Sequence, residues 1–584
     1  MKFNKLLFPF LASVALSLPL KDKDGRYYVK RGNKQFYIPN ELKSNNFDND
    51  ASNWSFARSK ASEDFILFWE PGFGRNPQAV DPKLRFDADD VLAKAEKFFD
   101  FYKNTLKFIE GRSQTDTYKM SIWIKHQTEW LATGSGYDNV VGALWVNPST
   151  IQPVGGTIAH EIGHTFQYQV HCDGKYGFRD QDYVGTYWEI CAQWMATRLY
   201  PEMFNNQEFE LLPNNCWKHP LHENFRYQSI LMNEYWSEKH GIDIVGRVWN
   251  GAANLDDPFD AYKRVVKIDQ QALNDEMFLV AQKNILFDYK HMGGVLKKFR
   301  NRYNIKLQPN NDGTFQIPPE QCTQTYGFAP IPLEIPAGGK VTVKFTGITG
   351  NPAYHTMQDR VAGWRYGFVA VTGNGDTAEY SKPFVGTTQT TSATFAIPNG
   401  TKELWFVAMG APTEHVRHHW KEGDNSGDEQ FPWKVAFSTC IRGQACRPSI
   451  EVDNNASPAN PVNNPAPVNN PAPVNNPAPV NNPAPVNNPA PVNNPAPVNN
   501  PAPVNNPIPV NNPIPVNNPA PVNNPIPAPV NNPFPAPVNN PFPVNNPIPE
   551  SNNNGRSGLS GLLGNLISKL RNRNDSPFFY REQK

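Results

Sequence analysis

No Cys-x-x-Cys pair occurs in this chain, which argues against a cysteine-walled zinc site. An excess of charge of either sign is also missing. Lys and Arg total 55 against 54 Asp and Glu, a net charge of +1, so there is no electrostatic footprint for nucleic acid. Long apolar runs are absent beyond the first residues, and no later stretch is apolar enough to cross a bilayer. Charged residues make up only 19% of the sequence, whereas Pro reaches 57, an excess confined to one stretch near the C-terminus. A chain of 584 residues is too long for one core and requires two or more domains.

The one apolar run lies at the start. Lys2 and Lys5 precede Leu6 to Leu16, which Pro9 interrupts, and Ala15-Leu16-Ser17 supplies small residues for cleavage. This reads as a signal peptide over residues 1–17 and predicts a secreted, extracellular protein. Six cysteines in an exported chain suggest disulfides, with 15 possible pairings. Cys440 and Cys446 are near neighbours that can close a small loop, Cys172 and Cys216 flank the second half of the candidate site, and Cys191 reads as a buried thiol. Asn53-Trp54-Ser55 and Asn399-Gly400-Thr401 are glycosylation sequons.

Against these absences stands one motif, His160-Glu161-Ile162-Gly163-His164. Two His four residues apart stack on one helix face, close enough to share a metal ion, and the Glu beside the first can handle the protons of a water. Ile158, Ile162 and Phe166 form the buried stripe of that helix, and Thr157, after Gly155-Gly156, is its expected N-cap. A catalytic zinc needs at least a third protein ligand, with water completing the site. Glu189, 25 residues after His164, sits among Trp188, Cys191, Ala192 and Met195 on a second helical stretch. A carboxylate in such apolar company is costly unless paired or on a metal. Zn2+ on His160, His164 and Glu189, with Glu161 as general base, is the resulting expectation. Tyr227, Tyr183, Tyr187, His171, His219 and His222 are candidates for a donor to a developing oxyanion, and the sequence does not choose among them.

Around the motif the pattern is mixed. Residues 18–60 are polar, with a strand-like piece at Arg26 to Val29. Phe65 to Trp69 and Tyr118 to Lys125 read as strands, the second with Met120, Ile122 and Ile124 alternating. Between them Asp87 opens a helix whose stripe is Val91, Leu92, Ala95, Phe98, Phe99 and Tyr102. Gly134-Ser135-Gly136 reads as a loop, and Val140 to Val146 as a strand, either an ordinary member of a sheet or one whose open edge meets an extended peptide. Helical stretches continue over roughly residues 223–239, 261–266 and 275–299.

From about Gln316 short strands alternate with turns, which predicts an antiparallel β-sandwich over 313–450 after a catalytic region over 61–312. The His415, His418 and His419 cluster reads either as loop residues around a structural domain or as a glycan- or protein-binding face. Over 451–550 the chain repeats Pro-Val-Asn-Asn-Pro-Ala, a composition that excludes helix and sheet and predicts a disordered polyproline II spacer. In the tail, 551–584, Leu559, Leu562, Leu563, Leu566, Ile567 and Leu570 recur at helical spacing ahead of basic residues. That amphipathic helix suits a cell-surface, scaffold or self-association partner.

The stretch from about Asp64 to Cys440 resembles a family of uncharacterised secreted proteins from biomass-degrading microbes. The matching segments are Gly134-Ser-Gly-Tyr-Asp138, Gly142-Ala-Leu-Trp-Val-Asn-Pro148, Ala159 to Gln169, Trp188 to Met195, Gly363-Trp-Arg-Tyr-Gly367 and Leu404 to Thr413. That family looks like a gluzincin-type zinc metallopeptidase followed by a β-rich domain. The resemblance implies an α+β chain with a zincin-like domain, zinc ligands at His160, His164 and Glu189, and Glu161 as base. A gluzincin often has an acid a few residues past its Glu ligand, bonded to a His ligand; here Gln193 stands near that place. Two functions are compatible with these features. One is a secreted zinc-dependent endopeptidase acting on extracellular protein or glycoprotein. The other is a non-catalytic adhesion protein with a binding β domain and a vestigial metal site.

Overall fold

The computed structural model describes residues 20–178, 185–205, 207–355, 357–419, 425–454, 457–459 and 461–462. The expected signal peptide, nearly all of the Pro-rich repeat and the amphipathic tail lie outside the described residues. No helix among the described residues is long and apolar enough to cross a membrane.

The chain opens with a three-stranded antiparallel sheet: β1 (Leu20–Lys21), β2 (Tyr27–Arg31) and β3 (Lys34–Tyr37). This segment reads as polar, yet a few aromatics bind it to the neighbouring strands. Phe36, Phe47 and Trp54 are buried, with Phe36 against Phe68 and Trp54 edge-on to Trp123. Arg58 is buried with them, its guanidinium donating to the Trp69 carbonyl (3.3 Å) and the Asp50 carboxylate (2.7 Å), which offsets the cost of a buried charge.

A mixed five-stranded sheet comes next: β4 (Ser59–Ala61), β5 (Phe65–Trp69), β6 (Met120–Ile124), β7 (Ala132–Tyr137) and β8 (Val141–Val146), in the order β4-β5-β6-β8-β7. β5, β6 and β8 run parallel, and β7 returns antiparallel to β8. Helix α1 (Ala88–Asp100) makes the β5-to-β6 crossover. The Asp87 carboxylate caps it by accepting from the Asp89 (2.9 Å) and Asp90 (3.3 Å) amides, and its expected apolar stripe is buried. The alternation expected along β6 is not seen in its burial: every residue from Met120 to Ile124 is buried, as in parallel strands covered on both faces.

One feature of this sheet differs from expectation. Gly134-Ser135-Gly136 is the middle of strand β7, not a loop. The open edge beside the motif helix belongs to β7 and not to β8, which pairs on both sides; β4 is the other edge of the sheet.

The helices come in the order α2 (Gly156–Cys172), α3 (Gly185–Thr197), the single turn α4 (Leu211–Asn214), α5 (Leu231–His240), α6 (Ile244–Gly251), α7 (Pro258–Val266), α8 (Gln270–Asn284) and the single turn α9 (Gly293–Leu296). α2 begins after Gly155 with no side-chain cap, so the expected N-cap Thr157 lies inside its first turn. α2 lies against β7 and β8 at distances that only glycine permits. A Cβ on Gly134 would fall 1.9 Å from the Glu161 carbonyl oxygen, and one on Gly142 would fall 2.8 Å from Thr165 Cβ. On the other side of α2, Gly163 faces Ala192, where an added Cβ would be 3.3 Å away, so α3 packs tightly beside the motif.

The remaining strands form two sheets. One joins β9 (Gln308–Pro309), β10 (Phe315–Gln316), β12 (Lys340–Gly347), β16 (Thr391–Ala396) and β18 (Trp433–Phe437). The other joins β11 (Phe328–Leu333), β13 (Trp364–Thr372), β14 (Thr377–Ser381), β15 (Phe384–Gly386) and β17 (Glu403–Gly410). Their side chains meet: Phe345 stacks on Tyr366 (4.6 Å), Phe368 on Phe395 (5.4 Å), and Phe406 abuts Phe437 (5.2 Å). The chain is thus α+β, with helices and antiparallel strands in succession. The start of the region read as spacer still pairs. β19 (Ser457–Ala459) adds parallel to β16, and β20 (Pro461–Val462) adds to β14. Both are outermost strands, where proline's missing donor is tolerated.

Buried polar side chains join the helices to the strands. Gln282 donates to the Phe368 and Ser381 carbonyls at 3.0 Å each, Asn274 donates to the Pro412 carbonyl at 2.9 Å, and Arg365 pairs with Asp275 at 2.6 Å. The described residues accordingly make one compact unit.

Candidate metal centre

Helix α2 carries His160 and His164 one turn apart, and their Nε2 atoms lie 3.0 Å from each other. Helix α3 brings Glu189 to the same point: its Oε2 is 3.1 Å from His160 Nε2 and 3.4 Å from His164 Nε2. The structure therefore brings together all three residues singled out as ligands. The close Gly163–Ala192 contact keeps α3 tight against α2 where Glu189 meets the histidines.

The far side of each imidazole fixes its proton. His160 Nδ1 lies 2.9 Å from Gln193 Oε1, and His164 Nδ1 lies 2.8 Å from Gln167 Oε1. The Gln167 amide is oriented by its own Nε2, which donates to the Trp188 carbonyl at 3.0 Å, so its oxygen must face the histidine. An amide oxygen only accepts, so each Nδ1 carries a proton and donates it. The opposite nitrogens then present lone pairs to each other and to the Glu189 oxygen.

Three lone pairs meeting within 3.4 Å repel one another unless a proton or a cation lies among them. For a tetrahedral zinc with bonds of about 2.0–2.1 Å, neighbouring ligand atoms sit about 3.3 Å apart. The observed separations of 3.0 to 3.4 Å bracket that value, so the donor set fits a metal ion. Without a metal, a proton takes the place. Burial opposes charge on His164, but the adjacent Glu189 carboxylate outweighs it and raises the pKa to about 9. Burial likewise opposes charge on Glu189, and His164 and His160 overcome it to hold that carboxyl well below its usual range.

Glu161 is buried beside the histidines, and its Oε2 accepts the Gly134 backbone N–H at 2.7 Å. Burial raises its pKa, with the two imidazoles pulling against that. Of the candidate oxyanion donors among the described residues, Tyr227 packs on the centre, its ring 6.0 Å from that of His160. Burial and then Glu189 raise its pKa, so the phenol keeps its proton at neutral pH. Tyr187 instead stacks on Trp249 and donates to Asn233 at 3.2 Å. His171 packs on Trp188, and Tyr183 lies outside the described residues. The residues that sequence reasoning did not place here are Gln167, Gly134 and Trp188, whose ring lies parallel to His164 at 6.3 Å. Gln167 comes three residues after His164, a spacing that puts it on the same face of α2 and could have signalled it.

Among the described residues two other clusters have metal-like composition, and both are already paired. In the first, His222 Nδ1 accepts the Asn224 amide (3.1 Å), so its Nε2 carries the proton and faces Asp428 (3.1 Å). His418 in the same cluster lies between Glu223 and Glu429; burial opposes its charge, but these carboxylates raise its pKa to about 10. In the second, Asp257 accepts from His415 Nε2 at 2.5 Å and Asp260 pairs with Arg417 at 2.6 Å. His415 and His418 therefore point inward and tie their loop to the helical region, while His419 is exposed. Among the described residues the disulfide is Cys440–Cys446, while Cys191, Cys216 and Cys322 are buried thiols. Cys191 Sγ accepts from Trp249 Nε1 at 3.0 Å.

No curated protein matches this chain. Two solved structures, of a functionally unknown conserved protein from Bacillus anthracis str. Ames and of its mutant, are similar to it at 14% and 13% identity. Each match covers 44% of this chain and 52% of the other, so the chain spans about half their length. The TM-score is 0.24, too low for any structural argument. Over residues 28–443 the match is instead to a family model, and the chain belongs to the family of unknown function DUF6055.

Proposed function

We propose that this protein is a secreted, zinc-dependent endopeptidase of gluzincin type, with a zincin-like helical half and a sandwich-like β half. The observation that carries the reading is the convergence of His160 Nε2, His164 Nε2 and Glu189 Oε2 within 3.4 Å, with Glu161 beside them. A zinc ion held there would polarise a scissile carbonyl and make a water acidic near neutral pH.

The chain's own residues supply the rest. Glu161 takes a proton from the attacking water and returns it to the leaving amine. The Gly134 amide holds one of its oxygens, which aims the carboxylate and limits its freedom. Tyr227, whose ring packs on His160, keeps its proton and would donate to a developing oxyanion. Edge strand β7 runs past the centre, and an extended segment of an extracellular protein or glycoprotein can add to it as a further strand. Export fits the leader-like first residues and the Cys440–Cys446 disulfide.

The test is a peptide-hydrolysis screen of wild type against Glu161→Gln, both loaded with zinc. Hydrolysis by wild type that falls by at least about 100-fold in the variant supports the reading. Equal rates, or a wild-type protein that binds zinc and cleaves nothing, would overturn it.

A further inference from the structure

The proteases that the motif resembles often set the histidine ligands with a carboxylate, but here amides do so. We infer that Gln193 and Gln167 are the positioning residues of this metal centre, holding His160 and His164 in the metal-binding tautomer without adding charge. This rests on the reading of His160, His164 and Glu189 as metal ligands.

The geometry is matched on both sides. Each amide oxygen meets an Nδ1 within 2.9 Å, and both glutamines are buried. Each also comes from the helix that carries a ligand. Gln167 lies three residues after His164 on α2, and Gln193 lies four residues after Glu189 on α3. One helical turn therefore delivers a ligand and an orienting group together. Gln193 does more, because it reaches from α3 to a histidine on α2 and so ties the helix bearing Glu189 to the helix bearing the histidine pair.

Charge explains why an amide is suited to the position. The centre already holds two carboxylates, the buried Glu161 and the half-buried Glu189, which balance a divalent cation when both are ionised. A carboxylate at 167 or 193 would leave a buried negative charge in excess, and it would make the imidazole it touches a stronger electron donor to the metal. Neutral acceptors fix the same tautomer and leave the ligands less basic, which keeps the bound cation more electrophilic.

The experiment is a competitive zinc titration of the metal-stripped full chain with a chromogenic chelator, for wild type, Gln193→Leu, Gln167→Leu and Gln193→Glu. Thermal melting of each metal-free variant reports whether it is folded. Leu matches the glutamine's bulk but accepts no hydrogen bond, so affinity should fall about 10- to 100-fold in folded Leu variants. Gln193→Glu restores an acceptor and should bind at least as tightly as wild type, which a purely packing role for the side chain would not produce. The inference is overturned if folded Gln193→Leu and Gln167→Leu bind zinc like wild type, or if Gln193→Glu is as weak as Gln193→Leu. Should the Leu variants not fold, Gln193→Glu decides: binding as tight as wild type supports the inference and weakened binding overturns it. A wild-type chain that takes up no zinc would instead remove the metal-centre reading itself, and the inference with it.

Discussion

The Gly134 backbone N–H donates to the Glu161 carboxylate at 2.7 Å, which joins β7, an edge strand of the five-stranded sheet, directly to the acid of the His-Glu-x-x-His helix. The contact depends on the missing side chain at position 134, since a Cβ there would collide with the Glu161 carbonyl oxygen and His164 Cβ. Gly134→Ala should therefore destabilise the fold by about 1–3 kcal/mol through overpacking against backbone. It should also weaken metal uptake, because the motif helix has to move away. Ser135→Ala, one residue along the same strand, is expected to stay within about 0.5 kcal/mol of wild type. Chemical denaturation of both variants checks the contrast, and equal stability would mean that the strand does not constrain the helix.

The metal-free centre has a pH signature. His164 is raised to about 9 by Glu189, so it stabilises the folded state fully below its unfolded pKa near 6.5 and loses that contribution as pH rises through about 9. Glu189, held low by the histidines, contributes above its unfolded value of 4.5 and loses the contribution as pH falls through its lower folded value. Metal-stripped wild type should thus lose stability between about pH 7 and 10 relative to Glu189→Gln, which lacks the partner charge. Parallel melting curves for the two proteins across that range would contradict the pairing.

Metal should act as a folded-state ligand. With zinc at about 100 times its dissociation constant, the folded state gains about 2.7 kcal/mol, and a chelator should reverse the gain. His164→Ala should show neither response in the same melting experiment.

Much of this arrangement was legible in the sequence, and the exceptions have physical causes. The motif helix is regular, so residue spacing places His160 and His164 on one face, and the apolar company of Glu189 on the second helix marks it as the third ligand. α1 was legible for the same reason, from Asp87 and its apolar stripe. Strand β7 was not, because Gly134 and Gly136 read as turn residues when they are in fact the places where a strand passes close over a helix. Residues 18–60 read as polar because only a few aromatics, Phe36 and Trp54 among them, anchor that segment to the core. The roles of His415 and His418 depend on Asp257 and Glu223, more than 150 residues away in sequence, and no local pattern carries a contact of that range.

Those same contacts predict that the helices and strands unfold together. Asp257 is fully buried, caps α7 and accepts from His415, whose other nitrogen faces the Tyr326 hydroxyl at 3.0 Å. His415→Ala should cost about 3 kcal/mol by leaving that carboxylate short of its partner. Calorimetry should show one transition in wild type, shifted as a whole in the variant. Two separable transitions, with only one displaced, would contradict a shared unit.

Metal analysis of the purified full chain, wild type against His160→Ala, tests the central claim most directly. The account predicts about one zinc per wild-type chain and loss of that zinc in a variant that remains folded. A wild-type protein without bound metal after zinc loading, or a His160→Ala protein that keeps its zinc, would contradict it.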